Sequence, residues 1–449
     1  MLLTALESHM STSDLNPKRF YNTFPDTAKR GDNILDVYVN RAEESSNDCV
    51  AAITRKIEWE DDGDSGCYLF SGLRGAGKTT ELKRLMSELD NRDIAAFYCD
   101  ADDVLDLNNP DITQTELIFT ALIGLCSAAK AKYGADFLKE SIWDRLGRVM
   151  TSEVTLDKVK VGTKGSGIEF SLQDNGSFKQ KLIEFAQSSS QFYEEIDSFT
   201  RELVSTIQSH TKQDKIVLVV DSLERLSAPS GQEQQLFDSL KSLFFNTPDR
   251  LYFPNITVIY TVPPYLHAIL PNVDPFYSGT FSLPNFKVIQ KPLVGSENGV
   301  LHQKNQPGIE KMVEIIQKRE ANWENYLSRS VVEYLAWLSG GNVRRMFSLI
   351  RHVTFKAGLI GKSFPITDTK SEAVTLAVQE ETKNLAWLNA ADRQWLEHCK
   401  NKSGDLAKQI ENLEKDLSTI IRLFDHSLIL NYQNGNIWYQ VPPIIDNYV

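Results

Sequence analysis

The sequence predicts an α/β fold: an αβα core around a parallel sheet, followed by an all-helical lid and a C-terminal winged-helix-like unit. Three observations predict it. Short apolar runs at Cys67–Phe70, Ile94–Cys99, Ile216–Val220 and Ile256–Val262 alternate with longer stretches of helical spacing, the pattern of parallel strands joined by crossover helices. From Pro307 onward apolar residues recur at helical spacing, as at Ile309, Met312, Ile315 and Ile316. Near the end, Asn434-Gly435 separates two alternating apolar runs, a strong hairpin signal.

The elements fall in order along 449 residues, enough for about two or three domains. Residues 1–32 are polar, broken by Pro17, Pro25 and Gly31, and read as a lead segment. Residues 33–300 form the core, with a hairpin and helix insertion near 150–210. Within it, Val159–Leu172 reads as two short runs about a glycine turn, and Phe178–His210 as a long amphipathic helix. Asn285–Ile289 is a candidate edge strand. Residues 301–382 form the lid and 383–449 the winged-helix-like unit, its helix carrying Leu406, Ile410, Leu413, Leu417 and Ile420 on one face.

The net charge of −12 gives no general electrostatic attraction for nucleic acid, and the helix before the hairpin adds Glu411, Glu414, Lys415, Asp416 and Asp425, acidic on balance. That helix therefore reads as a protein contact, with DNA binding the alternative. The five cysteines are scattered, with no C-x-x-C, so they suggest core residues rather than zinc ligands or a disulfide framework. The N-terminus lacks the basic region of a signal peptide and no apolar run approaches about 20 residues, so the expectation is a cytoplasmic protein with no membrane partner.

The chemistry begins after the first strand. Gly72, Gly77, Lys78 and Thr79 fill G-x-x-x-x-G-K-[ST], the phosphate-binding loop known as Walker A, between a strand and a helix as the motif requires. Glycines let the backbone bring N–H groups against phosphate oxygens, and the helix N-terminus adds partial positive charge. The expected nucleotide ligands are Gly72, Arg74, Gly75, Ala76, Gly77, Lys78, Thr79 and Thr80. Lys78 reaches the β- and γ-phosphates, and the Thr79 hydroxyl ligates Mg²⁺.

A second landmark is Ile216–Asp221, an apolar strand tipped with a carboxylate, the Walker B arrangement. Asp221 is the expected partner of Thr79 in holding Mg²⁺. Glu224 is the nearest carboxylate able to activate water; its plain alternative is a charge partner of a helix N-terminus. Thr261, at the end of the fourth run, is placed to meet the γ-phosphate or its attacking water, or simply to cap the following turn. Arg344 and Arg345 stand near a helix N-terminus, where the dipole disfavours cations, and a bound phosphate would relieve the conflict. Gly162, Gly165 and Gly167 lack a following helix and read as a turn. Thr211-Lys-Gln-Asp214 has the letters of a guanine-reading loop, but it precedes Asp221 and no D-x-x-G follows, so ATP is the expected nucleotide. A small-molecule kinase also carries such a loop, usually without a lid and winged-helix tail.

Taken together, Ser71–Leu82, Val219–Leu226, Tyr260–Pro263, Ser339–Arg344 and Leu430–Tyr439 resemble prokaryotic AAA+/STAND-type ATPases, similar in plan to origin-recognition ATPases. The resemblance spans about residues 33–449. It implies an ATP- and Mg²⁺-dependent ATPase, with Thr261 as sensor 1, Arg344 as the sensor-2 arginine and Arg345 its fallback, and Arg250 as a trans arginine for a neighbouring subunit. It implies a nucleotide-dependent switch that self-associates or grips an effector protein, as in anti-phage defence. A DNA-binding replication-initiator or transposition-regulator ATPase, or a scaffold that holds ATP without turnover, are the alternatives. One departure concerns the reaction: Ser222 stands where typical members place glutamate, which favours slow hydrolysis.

Overall fold

The computed structural model describes residues 15–25, 34–41, 48–61, 63–134, 137, 180, 183–184, 186–187, 190–229, 231–269, 274–291, 302–401 and 413–446. The expected hairpin at Val159–Leu172 lies outside them, as do Leu406, Ile410 and Glu411 and the side chains of Leu413, Glu414 and Lys415.

Five strands form one parallel sheet: β1 (Cys67–Gly72), β2 (Ala95–Asp100), β3 (Ile216–Asp221), β4 (Thr257–Val262) and β5 (Gly279–Leu283), in the order β2-β3-β4-β1-β5. Every residue of β1, β3 and β4 is buried, as expected of central strands covered on both faces, and this is why their sequences are continuous apolar runs rather than alternating ones. The covering helices are α2 (Cys49–Trp59), α3 (Lys78–Asp90), α4 (Gln114–Tyr133), α5 (Ser190–Thr211), α6 (Glu233–Lys241) and α7 (Pro264–Ile269), after a short α1 (Pro17–Asn22). A reciprocal capping box between Thr113 and Glu116 starts α4, whose next three turns are buried almost all round. Cys67 and Cys99 are small core residues of the sheet.

The edge strand differs from expectation. It is Gly279–Leu283, paired with β1, and not Asn285–Ile289. Pro284 ends the ladder, and the segment after it crosses towards the helices, where Ile289 makes one isolated antiparallel bridge with Lys304.

Four helices follow: α8 (Gln306–Arg319), α9 (Arg329–Leu338), α10 (Val343–Leu359) and α11 (Glu372–Lys383). The lead segment docks here, with Phe20 stacked on Tyr326 at 4.2 Å and Phe24 against Phe347 at 5.4 Å. The chain ends in α12 (Ala390–Asn401), α13 (Leu413–Asp425) and the antiparallel hairpin β6 (Leu430–Asn434) and β7 (Asn436–Gln440), which turns at Gly435 with φ +74°. This last unit touches the core directly. Helix α13 packs on α6 and α7. Asn431 of β6 accepts from the Asn285 backbone N–H at 2.9 Å and donates to Ser282 Oγ at 3.1 Å.

The strand order positions the chemistry. β4 lies between β1 and β3, so the loops leaving all three open at one end of the sheet, the carboxyl end, where ligands of such folds sit.

Candidate functional site

The loop after β1 runs into α3 through Gly77, which takes φ +97° and supplies no side-chain cap. Among the described residues no side chain caps the first N–H groups of this 13-residue helix, and such an open positive helix end is the arrangement that receives anions. Lys78 is buried at 4% exposure. Its Nζ donates to the carbonyls of Gly72 (2.7 Å) and Leu73 (3.1 Å) and pairs with Glu224 Oε1 at 3.0 Å.

Asp221, at the tip of β3, accepts the Thr79 hydroxyl at 2.9 Å on Oδ2 and the Ser222 N–H at 2.7 Å on Oδ1. Burial first, and then Glu224, push its carboxyl up to about 6. Ser222 sits at φ +74°, the left-handed region that a residue with a Cβ rarely adopts. That turn starts the short 3₁₀ helix Leu223–Arg225 and brings Glu224 back to Lys78. Burial works to raise the Glu224 carboxyl, but the charge and hydrogen bond of Lys78 outweigh it and hold the group below its ordinary value. The second carboxylate oxygen, Oε2, is buried without a hydrogen-bond partner among the described residues. Thr261 is fully buried on β4. It accepts the Leu223 N–H at 3.0 Å and so braces the turn that carries Glu224.

From the other side, α10 and the C-terminal unit close on the carbonyls of the same loop. Asn342 Nδ2 donates to the Arg74 carbonyl at 2.7 Å, the Val343 N–H to Gly75 at 3.2 Å, and Ser427 Oγ to Arg74 at 3.3 Å. Arg41 bonds the Ala76 carbonyl, reaches the Pro284 carbonyl at 2.7 Å and lies over the Phe286 ring at 4.5 Å. Gly75 is required twice over: its φ is +80°, and a Cβ there would come within 2.6 Å of both Asn342 Oδ1 and the Arg344 Cβ.

The expected residues separate into three groups. Lys78, Thr79, Asp221, Glu224 and Thr261 come together at the strand ends, with Gly72, Arg74, Gly75, Ala76, Gly77 and Thr80 forming the loop and helix start beside them. Arg344 joins them from α10; burial, then the like charges of Arg74 and Arg225, lower its pKa, while Glu224 raises it. Arg345 goes elsewhere, which corrects its reading as a phosphate ligand. Its buried guanidinium donates to the carbonyls of Ser427 (3.1 Å) and His426 (3.3 Å) and faces Glu381 at 3.8 Å, because residue 345 lies about 100° further round α10 than 344. Arg250 precedes β4 and therefore lies at the opposite end of the sheet, its guanidinium 3.8 Å from the centre of the Tyr193 ring.

Sequence reasoning missed Arg41, Tyr98, Arg225, Asn342 and Ser427. Tyr98 donates its hydroxyl to Asp221 Oδ2 at 2.7 Å, and Arg225 pairs with Asp102 at 3.0 Å while its carbonyl takes a hydrogen bond from Arg74. Arg225 follows Glu224 directly and Asn342 caps α10 just before Arg344, so both were visible within their motifs; Arg41, Tyr98 and Ser427 carry no local signal.

The site fits a nucleoside triphosphate with Mg²⁺. It offers a glycine cradle at an uncapped helix end, a hydroxyl beside a carboxylate, and a buried partnerless carboxylate oxygen next to the lysine.

No protein-family model and no curated protein matches the chain. Among solved structures, the chain is similar to the Aeropyrum pernix ORC2 protein in ADPNP–ADP complexes (12% identity, 95% of this chain and 94% of that one, TM-score 0.40). It is also similar to Drosophila ORC bound to DNA (12%, 98% and 91%, 0.36) and to a Thermotoga maritima RuvB Holliday junction branch migration motor (13%, 93% and 95%, 0.35). The fold described above rests on the strand order and pairing of this chain itself.

Proposed function

We propose that the chain binds ATP and Mg²⁺ on the loop after β1 and hydrolyses ATP slowly, as a switch read out by the helical lid and the C-terminal unit. One observation carries the reading. The phosphate loop runs into an α3 N-terminus that no described side chain caps, with Lys78 beside Glu224 at 3.0 Å and the Thr79 hydroxyl on Asp221 at 2.9 Å. An open helix start beside a lysine and a hydroxyl–carboxylate pair favours a multiply charged anion with a divalent cation, and the Walker A loop names its class.

In this reading the loop N–H groups and Lys78 hold the phosphates, with Lys78 leaving Glu224 to do so. Thr79 and Asp221 would hold Mg²⁺, which supplies charge neutralisation at the transferring phosphoryl group. Glu224, released from Lys78, accepts the proton of the attacking water, and Thr261 keeps its turn in place. Arg344 brings charge from the lid to the terminal phosphate. Phosphoryl transfer depends on such positioning and charge balance more than on covalent chemistry.

The C-terminal helices and hairpin are read as a winged helix used for protein contact, through self-association or an effector. Helix α13, which would precede the wing, is packed on α6 and α7 of the core, and the chain's net charge is −12. Both observations disfavour the DNA-binding alternative. No described helix is long and apolar enough to cross a membrane. A role in defence against phage rests on the resemblance alone and is tested by phage plating on cells carrying the gene with Lys78→Ala.

The central experiment measures ATP binding, turnover and molecular size with and without ATP for the wild type, Lys78→Ala and Asp221→Ala. Wild-type binding and slow turnover that both variants lose support the reading. A wild type without ATP affinity overturns it; tight retention with neither turnover nor size change favours the scaffold.

A further inference from the structure

The Walker B carboxylate has a partner outside the motifs. Tyr98 stands on β2, next to β3 in the sheet, with Tyr98 level with Val219 and Asp100 level with Asp221. Residues two apart on a strand share a face, so Tyr98 lies diagonally behind Asp221 on one side of the sheet. Its hydroxyl donates to Asp221 Oδ2 at 2.7 Å. The same oxygen accepts the Thr79 hydroxyl at 2.9 Å, and the other oxygen accepts the Ser222 N–H at 2.7 Å.

We infer that Tyr98 is a positioning residue for metal binding, acting through Asp221 on Thr79; this rests on the ATP–Mg²⁺ reading above. Three donors from three directions fix the rotation of the Asp221 carboxylate. With Oδ2 fixed, the Thr79 hydroxyl has a defined acceptor for its proton, and its lone pairs point away from Asp221, free for a cation. Loss of the phenol hydroxyl lets the carboxylate turn about its Cβ–Cγ bond and leaves Thr79 without a preferred orientation. The phenol is a donor at neutral pH, because an ordinary tyrosine ionises only at about pH 10. Groups that orient metal ligands in this way change metal affinity by about 10–100-fold when removed.

The test is a Mg²⁺ titration of a fluorescent ATP analogue on wild type, Tyr98→Phe, Asp221→Asn and the double variant, with a melting scan to establish the folded fraction at the assay temperature. Tyr98→Phe keeps the ring that fills the core, so its fold is expected to survive. The expected result is a Mg²⁺ midpoint about tenfold higher in Tyr98→Phe, unchanged analogue affinity in EDTA, and no added effect of Tyr98→Phe in the Asp221→Asn background. An unshifted midpoint, or the same shift with and without Asp221, overturns the role of Tyr98 while leaving the ATP reading intact. A wild type that binds no analogue at any Mg²⁺ concentration overturns the ATP reading, and the role of Tyr98 with it.

Discussion

The sheet wall of the site is made of side chains on and just beyond strand ends; the helical wall is made of side-chain and backbone donors at the start of α10 and the end of α13. On the sheet wall, Lys78, Thr79, Asp221, Glu224 and Thr261 are bonded to one another and to strand-end backbone. Their places follow from parallel register, which puts the ends of β1, β4 and β3 side by side. On the helical wall, Asn342, Val343 and Ser427 grip loop carbonyls from residues more than 250 positions away in sequence. The first wall is a fixed surface. The second is a set of hydrogen bonds between separate units, which one backbone movement would break together. A nucleotide-sensing device would place its moving part there.

The sheet wall should show the largest response to a single change. Removing Lys78 leaves Glu224 buried and unpaired, so Lys78→Met is expected to cost about 3–5 kcal/mol of stability even without nucleotide. Lys78→Met combined with Glu224→Gln should recover most of that loss in denaturant titrations, because a neutral amide replaces the stranded charge. A Lys78→Met protein as stable as wild type would mean that the pair is not a buried charge couple at all.

The helical wall is broken from the core side by Gly75→Ala. A side chain at φ +80° carries strain of about 1–3 kcal/mol, and this one also meets Asn342 and Arg344. Limited proteolysis should then cut between the core and residues 302–446 faster, with ATP affinity reduced. Unchanged protease resistance would show that the two walls are held by contacts other than these.

Neighbouring arginines separate holding from sensing. Arg345→Ala removes charged hydrogen bonds to the His426 and Ser427 carbonyls and is expected to cost about 1.5–3 kcal/mol, with ATP turnover retained in the folded fraction. Arg344→Ala should do the opposite, leaving the melting temperature near wild type and slowing turnover. Reversed outcomes would exchange the two roles.

The unequal legibility of the two walls has a physical origin. Walker A, the carboxylate closing β3 and the hydroxyl at the end of β4 are local: a strand brings its last side chain to the sheet end whatever the rest of the chain does. The parallel sheet was readable for the same reason, from its continuous apolar strands. The 344/345 choice depended on the rotation of α10 against the core, which adjacent residues cannot reveal. Arg41 and Ser427 act on loop carbonyls, and nothing near them in sequence marks that partner. The edge strand was misplaced because Gly279–Leu283 and Asn285–Ile289 are both short and only partly apolar; Pro284 between them decided which could keep a ladder.

The smallest expected effect concerns the end of α13. Asp425 is half-buried beside Arg74, and burial, with Glu233 adding to it and Arg74 opposing, pushes its carboxyl up to about 6 from the ordinary 3.8. The folded state therefore binds a proton there more readily than the unfolded chain does. Between about pH 4 and 6 the folded state holds more protons, so this group's contribution to stability is present below that window and is lost as pH rises through 6. Asp221 is raised to about 6 as well and gives a slope of the same sign, so the wild-type profile alone does not separate them. Asp425→Asn does. It should flatten part of the fall in melting temperature between pH 4 and 6 and raise the melting temperature at pH 7, where the wild-type carboxylate is charged in a poorly solvated place. If Asp425→Asn instead lowers the melting temperature at pH 7, its attraction to Arg74 outweighs the cost of burial, and the contact between α13 and the phosphate loop is an ion pair that holds the helical wall shut.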